Sequence, residues 1–183
     1  MRVKVGGRER KLRLKNTNGE LVAAYKFTAG GREELLTVRK KIFRDSTNLE
    51  VLDPRRVLHL NVLEGDAPNQ LPVGAFVTKM GKGGFSVYHR EVEPRFRRAG
   101  LATRLYDLIE DHLFSRGAKH SHASTSKKST LLFLFNRGYE PVAGGKLAKA
   151  VVEKPGGFPE NLESKVRLAK PAPRQGLGKR TQW

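Results

Sequence analysis

The chain has 183 residues, no cysteine and a formal net charge of +18, from 36 lysines and arginines against 18 acidic residues. This length is enough for a domain with a sizeable hydrophobic core. The lack of cysteine excludes disulfides, a cysteine nucleophile and thiolate metal sites. No apolar run approaches the roughly 20 residues of a membrane span, and the basic N-terminus does not look like a secretory signal, so we expect a cytoplasmic protein.

Basic residues concentrate at the two ends of the chain. The first fifteen residues hold seven lysines and arginines against one acid, Glu9, and the last fourteen hold four and no acid. We therefore divide the chain into a basic N-terminal segment 1–19, a central domain 20–153, and a basic C-terminal tail 154–183 that contains proline and glycine. Such charge attracts nucleic acid or nucleoprotein, although a solvated basic surface is the other interpretation.

The hydrophobic pattern of the central domain predicts alternating strands and helices. Apolar residues in alternation indicate strands, and an apolar stripe at helical spacing indicates helices. In chain order we expect a strand at 21–28, a helix at 32–44, irregular chain at 45–56, strands at 57–63, 73–80 and 85–92, a helix at 101–116, a strand at 119–124, a helix around 131–135, and strands at 139–143 and 147–152.

The junction between the strand at 85–92 and the helix at 101–116 carries the strongest functional signal. From Val92 to Ala102 it reads VEPRFRRAGLA. A helix start leaves backbone N–H groups without intrahelical partners, and with the positive end of the helix dipole they bind phosphate or another anion. Gly100 has no side chain to block a ligand from the backbone. The junction therefore predicts an anion site.

This junction resembles the acyl-CoA signature of the GNAT family of N-acetyltransferases, which reads Arg/Gln-x-x-Gly-x-Gly/Ala. The matching residues are Arg97, Gly100 and Ala102, and the family's preceding Val-x-Pro corresponds to Val92 and Pro94. The match is specific because it lies between a predicted strand and a predicted helix.

A second segment is also similar to the family. Residues 135–141, FNRGYEP, resemble its Gly-Phe segment at the end of a helix. The resemblance covers about residues 20–153. It implies an α/β fold with a mixed, mostly antiparallel sheet that is flanked by helices and splayed between its fourth and fifth strands.

The resemblance also implies an acetyl-CoA-dependent N-acetyltransferase, in which an amine attacks the thioester directly. The acceptor, on a protein or a small molecule, stays open. Glu91 and Val92 would align the pantetheine arm, and the Val92 N–H would face the thioester carbonyl. The residues that would bind the pyrophosphate, with Arg97 and Arg98 adding positive charge, are Arg97, Arg98, Ala99, Gly100, Leu101, Ala102 and Thr103.

The general base is open between several residues. His122 lies near the place that carries the base in the family's ribosomal-protein alanine acetyltransferases, and an imidazole accepts protons near neutrality. His120 would share its face at strand spacing. Glu91, His89 and Tyr88, on the preceding strand, are the rival candidates.

Two positions depart from the family pattern. Leu134 stands where many members carry a tyrosine that serves as general acid, and Lys127 stands where asparagine is frequent. These departures, with the net charge of +18, leave a second interpretation open. It is a catalytically degenerate GNAT-fold protein that acts as a nucleic-acid-associated or structural component, for example virion-associated if the chain comes from a phage.

Overall fold

A computed structural model describes residues 1–17, 19–29, 31–40, 57–66, 71–97 and 100–173, without the side chains of residues 29, 57, 59, 88 and 89. These residues divide into two units, each with its own internal packing. The first contains Met1–Lys79 and His89–Ile109, and the second contains Met80–Tyr88 and the described chain from Glu110 onward. Strand β8 and helix α1, defined below, each contribute residues to both units.

Within the described ranges the protein is a mixed sheet with few helices. Every strand pair recorded there is antiparallel except β8 with β9, which is parallel. The strands are β1 (Arg2–Val5), β2 (Arg8–Lys11), β3 (Lys15–Asn16), β4 (Gly19–Ala29), β5 (Arg32–Lys40), β6 (Val57–Glu64), β7 (Gly74–Gly81), β8 (Gly84–Val92), β9 (His120–Lys127), β10 (Glu140–Ala143) and β11 (Asn161–Pro171). The helices are α1 (Leu101–Phe114), α2 (Lys128–Asn136) and α3 (Gly145–Glu153), with 3₁₀ turns at Pro94–Phe96 and Pro155–Gly157.

Most of the predicted elements are present. The predicted strands at 21–28, 57–63, 73–80, 85–92, 119–124 and 139–143 and the helices at 101–116 and around 131–135 are confirmed. The irregular segment predicted at 45–56 lies outside the described residues. None of the helices within the described residues is both long and apolar enough to cross a membrane.

The first unit is built on the strand order β8-β7-β6-β5-β4-β3. Its central strand β5 was predicted as a helix at 32–44, and that prediction is wrong for Arg32–Lys40. Glutamate, leucine, arginine and lysine favour helices on local propensity. Strand β5 instead pairs with β4 on one side and β6 on the other, and the run from Leu35 to Arg39 is buried on both faces. Tertiary pairing therefore overrides the local preference.

The basic N-terminal segment is folded onto this unit. Strands β1 and β2 form a two-stranded hairpin, which we call the basic hairpin. The buried guanidinium of Arg39 donates to the carbonyl oxygens of Gly19 (2.9 Å) and Arg13 (2.7 Å) and to the carboxylate of Asp66. The backbone N–H of Arg13 donates to the same carboxylate over 2.6 Å. Arg13 and Gly19 are thereby fixed to β5.

The turn of the basic hairpin is held by Glu33 at the start of β5. The Gly6 N–H donates to Glu33 Oε2 over 2.6 Å, and the Lys26 ammonium lies 3.1 Å from the other oxygen. The Gly6 hydrogen bond and the Lys26 bond together lower the pKa of Glu33 from its ordinary value of 4.5. Apolar side chains seat the hairpin below this turn: Val3, Val5, Leu12, Leu21, Ala24 and Leu35.

We expect the Glu33 contact to be lost in acid. The pKa of Glu33 is lower in the folded protein than in the unfolded chain. The contact therefore stabilises the hairpin at pH values above the unfolded pKa, and this stabilisation is lost as the pH falls through the folded pKa. Glu33→Gln should therefore remove the acid dependence of the protection factor of the Gly6 amide against hydrogen exchange, measured by NMR between pH 6 and 3. Glu163→Gln, an exposed change on β11, is the control and should retain the wild-type dependence.

The second unit has the strand order β10-β11-β9-β8. Its residues Gly84–Ser86 pair in parallel with His120–His122. Two predictions fail in this unit. Residues 147–152 belong to helix α3, not to a strand, because Ala148 and Val151 are buried at helical spacing behind the left-handed Gly144.

The prediction that residues 154–183 form an extended tail is wrong for Asn161–Pro171. These residues form β11, which lies between β9 and β10 and pairs with both. Its buried residues alternate among exposed charged ones, with Val166 and Leu168 on the covered face. The charged and polar residues of the segment obscure a strand pattern that is clear once the buried face is known.

Candidate functional site

A tight turn connects the end of β8 to the start of α1 in the first unit. The 3₁₀ turn Pro94–Phe96 begins with proline, and Arg97 is extended at φ −70° and ψ 155°. Phe96 is buried and packs edge-on against Phe27, with ring centroids 5.2 Å apart. The turn is therefore anchored to β4 and not free in solvent.

The exposed side of the same turn is held by ion pairs. Arg95 donates to Glu64 over 2.7 Å and lies 3.2 Å from Glu93. Its guanidinium also covers the Phe96 ring, 4.6 Å from the centroid. Together these contacts fix where the chain leaves β8 and in which direction it approaches α1.

The end of β8 lies close against the start of β7. The N–H of Glu93 donates to the carbonyl of Val73 over 2.8 Å. A Cβ at Gly74 would lie 2.8 Å from the carbonyl oxygen of Glu91, which is closer than a Cβ tolerates. Glycine at position 74 therefore lets β7 approach the last residues of β8.

Gly100 is the residue directly before α1. Its φ is +76°, a left-handed conformation that favours glycine. A Cβ at this position would meet no atom of the described residues within 4 Å. The Arg104 N–H donates to the Gly100 carbonyl over 3.1 Å, so the N–H groups of Leu101 and Ala102 precede this first bond of the helix. The geometry leaves room for an anion at the positive end of the helix dipole.

Helix α1 is held on β8 by one buried polar pair. Arg90 Nη1 donates to the Tyr106 hydroxyl over 2.9 Å. Tyr106 is only 1% exposed and packs edge-on against Phe76, with ring centroids 6.0 Å apart. Leu105 and Ile109 are buried beside it. The direction of the helix axis at the junction is therefore set by packing.

Arg97 and Arg104 add positive charge near the junction. Arg97 is exposed, and its Nε donates to the carbonyl of Val92 over 3.0 Å. Arg104 lies over the ring of Tyr25, 5.1 Å from its centroid. Burial raises the pKa of Tyr25 to about 12 against the opposing effect of Arg104, so this phenol is neutral at pH 7 and cannot serve as a base there.

The first unit brings together most of the predicted cofactor residues. Arg98 and Ala99 lie outside the described residues. Glu91 is exposed, one position along β8 from Arg90 and therefore on the opposite face of the strand. The predicted residues at this junction are Val92, Arg97, Gly100, Leu101, Ala102 and Thr103.

His122 belongs to the second unit, whereas Glu91 belongs to the first. His120 and His122 are both exposed on one face of β9, with ring centroids 6.0 Å apart, which confirms the predicted shared face. A Cβ at Gly84 would lie 2.5 Å from the His120 carbonyl and 3.1 Å from His122 Nε2. Glycine there makes room for the imidazole. The side chains of Tyr88 and His89 lie outside the described part of the chain.

Leu134 and Lys127 stand at the positions that depart from the family pattern, and Lys127 is exposed as the N-cap residue of α2. Leu134 is 0% exposed and packs in the core of the second unit. Lys128 donates through Nζ to the carbonyl of Phe158 over 2.7 Å. Glu160, in the chain after α3, accepts from the Ser129 N–H in the first turn of α2 at 3.3 Å. The cap comes from the chain after α3, which local sequence does not reveal.

Sequence reasoning missed a buried ionic cluster in the second unit. Glu110, a charged residue of α1, is only 6% exposed. Its Oε1 accepts from the Tyr139 hydroxyl over 3.1 Å. Its Oε2 accepts from Arg137 over 3.0 Å and from Lys170 over 2.7 Å. The Tyr139 and Ser121 hydroxyls are also bonded, which ties the cluster to β9.

Three features define the fold: the strand orders, the parallel pairing of β8 with β9, which is the single parallel pair recorded within the described ranges, and the helix that follows Gly100 after β8. Together they are those of the acyl-CoA N-acyltransferase fold, the GNAT fold. Solved structures with this fold match the chain. They include a protein of Klebsiella pneumoniae assigned as an acyl-CoA N-acyltransferase, which is 15% identical, with a TM-score of 0.54 over 75% of this chain and 97% of that one.

Two further structures extend this similarity. A protein of Desulfovibrio desulfuricans assigned to the GNAT acetyltransferases is 12% identical, with a TM-score of 0.54 over 75% of this chain and 99% of that one. An acetyltransferase of Bacillus subtilis solved with CoA is 16% identical, with a TM-score of 0.50 over 74% and 98% of the two chains. No family model and no curated protein matches the sequence. The predicted resemblance is confirmed at the level of the fold.

Proposed function

We propose that the protein is an acetyl-CoA-dependent N-acetyltransferase whose acceptor is an amine of a protein or a small molecule. The main support for the proposal is the start of α1, which follows β8 and its turn and is preceded by Gly100. A Cβ at Gly100 would meet nothing within 4 Å, and the helix N-terminus beside it favours an anion. The Bacillus subtilis neighbour, solved with CoA, supports the choice of ligand.

The residues at the junction have the chemistry that a pyrophosphate requires. In this proposal the backbone N–H groups of residues 98–103 bind the phosphates, and the guanidinium groups of Arg97 and Arg98 supply charge. The Thr103 hydroxyl, exposed in the first helical turn, adds a further polar contact. Gly100 is needed for its left-handed backbone and for the lack of a side chain in the ligand's path.

The last residues of β8 would align the reacting group. Glu91 and Val92 would bind the pantetheine arm through their backbone. Acetyl-CoA supplies an activated thioester, so the acceptor nitrogen forms the new C–N bond as the C–S bond breaks. The protein's part is to hold the two reactants together and to remove the amine proton.

One carboxylate and one imidazole are the candidates for accepting that proton. Glu91 is exposed on β8 in the first unit, and His122 is exposed on β9 in the second. We propose His122 as the first candidate because an imidazole can accept a proton near neutral pH. Since Leu134 is a core residue, water would protonate the leaving thiolate.

His122→Ala is expected to lower kcat by about 100-fold while the Kd for acetyl-CoA stays unchanged, as for loss of a general base. The measurement is the pH dependence of kcat against an amine acceptor. His120→Ala, on the same face of the same strand, is the matched control and should keep the wild-type profile. If His122→Ala also keeps that profile, Glu91→Gln becomes the decisive variant.

Calorimetric titration with acetyl-CoA, CoA and ATP tests the cofactor. Saturable binding of acetyl-CoA and CoA, with much weaker binding of ATP, is the expected result. Equal binding of all three, or none, contradicts the proposal and returns the catalytically degenerate alternative.

A further inference from the structure

The basic hairpin presents a dense array of exposed cations. All four side chains of β2 are exposed, and three of them are basic. The residues of β1 and β2 that carry positive charge are Arg2, Lys4, Arg8, Arg10 and Lys11, all exposed. Within the described part of the chain, the ion pair recorded for these five is that of Arg2 with Glu9, at 3.4 Å and largely solvent-exposed. Most of these cations therefore have no carboxylate among the described residues to neutralise them.

The strand geometry spaces these cations regularly. Arg2 is opposite Lys11 in the register, and Lys4 is opposite Glu9, so these four share one face. Alternate residues of a strand lie about 6.7 Å apart, and cross-strand neighbours about 5 Å apart. Each strand of a nucleic-acid duplex has one phosphate per about 3.4 Å of helix axis. Cations at the spacings of the hairpin can therefore each reach a separate phosphate.

The hairpin is rigidly mounted and is not a flexible tail. Val5 and Leu12 are buried against Leu35. The Leu12 N–H donates to the Met1 carbonyl over 2.8 Å, which closes the open end, and the Gly6 N–H to Glu33 bond fixes the turn. A ligand would therefore meet cations whose backbone is already ordered, which lowers the entropy cost of binding.

The composition of the hairpin selects its partner. Residues 1–12 contain no aromatic residue on which the bases of a single strand could stack, and no serine, threonine, asparagine or glutamine that could read base edges. What remains is a two-stranded ribbon of arginine and lysine, the side chains that most often contact phosphates. We propose that the basic hairpin docks on the phosphate backbone of duplex nucleic acid without sequence preference. This proposal does not depend on acetyl transfer.

The test is fluorescence anisotropy of the full chain with labelled 20-base-pair DNA and RNA duplexes over a salt series. With phosphate contacts from Arg2, Lys4 and Lys11, the three cations of that face, the slope of log K against log salt should be about −3. Lys4→Gln with Lys11→Gln should reduce this slope by about 2 and weaken binding by about 10- to 60-fold at 0.1 M salt. Glu9→Gln should strengthen binding, because it removes the hairpin's single acid and releases Arg2.

The matched control is Lys146→Gln with Lys149→Gln, which removes two exposed lysines from α3. It carries the same charge change and should leave the slope unchanged. The proposal is overturned if this control loses as much affinity as the hairpin variant, since the charge effect would then be diffuse. Competition by polyglutamate or anionic vesicles as strong as by duplex also overturns it. Self-association of the Lys4/Lys11 double variant with unchanged duplex binding also overturns the proposal. The cations would then serve only to keep an edge strand of the hairpin from pairing with another chain.

Discussion

Gly100→Glu is expected to weaken acetyl-CoA binding by at least about 100-fold. The new side chain would occupy the open space at the start of α1, where a Cβ would meet nothing within 4 Å. Its carboxylate would repel the phosphates and compete for the same backbone N–H groups, and hydrogen bonds to charged groups contribute about 1.5–3 kcal/mol each. Two such contacts account for the expected loss. Calorimetry with acetyl-CoA gives the affinity directly.

Gly117→Glu is the matched control for this change. Gly117 follows the other end of α1 and has φ +89°, and a Cβ at this position would likewise meet no atom within 4 Å. Both variants therefore incur similar left-handed strain, about 1–2 kcal/mol, which thermal unfolding would register. Only Gly100→Glu should lose acetyl-CoA. Equal loss in both variants would mean a general effect on folding, and unchanged affinity in Gly100→Glu would remove the site from this junction.

The junction could be predicted from sequence because its requirements are local. A left-handed glycine just before an apolar helical stripe, preceded by Val-x-Pro and a strand, fixes the backbone within about ten residues. Gly100 has φ +76°, as a glycine at such a turn allows. The role of this junction in binding acetyl-CoA stays a prediction.

The elements that were predicted wrongly depend on pairing with other strands. The segment Arg32–Lys40 has helix-favouring residues, and only its pairing with β4 and β6 makes it a strand. Strand β11 consists mostly of charged or polar residues, and it becomes a strand because β9 and β10 flank it. Each segment read alone does not contain its pairing partners, so periodicity within the segment cannot reveal them.

The buried carboxylate of Glu110 shows the same limit at the level of one side chain. Its partners Arg137, Tyr139 and Lys170 follow it by 27, 29 and 60 residues. On a helical wheel Glu110 lies beside Tyr106 and Leu113, yet a charged residue at the edge of an apolar stripe is ordinarily exposed. Burial is favourable here only because two cations and a hydroxyl meet it from other elements.

Glu110→Ala is therefore expected to destabilise the fold by about 3–5 kcal/mol, the range for removing one partner of a buried ion pair. The change would leave Arg137, 9% exposed, and Lys170, 25% exposed, without their carboxylate. It would also remove the acceptor of the Tyr139 hydroxyl. Urea unfolding followed by circular dichroism measures the free energy of unfolding.

A comparison with an exposed pair separates burial from charge. Glu153→Ala removes the carboxylate that lies 4.0 Å from Lys149 on the surface of α3, and it should change the free energy of unfolding by less than about 0.5 kcal/mol. Lys170→Met combined with Glu110→Gln should be less destabilising than the sum of the two single changes, since the lysine would no longer require a carboxylate. A loss below about 1 kcal/mol for Glu110→Ala would show that water or a neighbouring group replaces the carboxylate, and that the cluster does not stabilise β9 and β11.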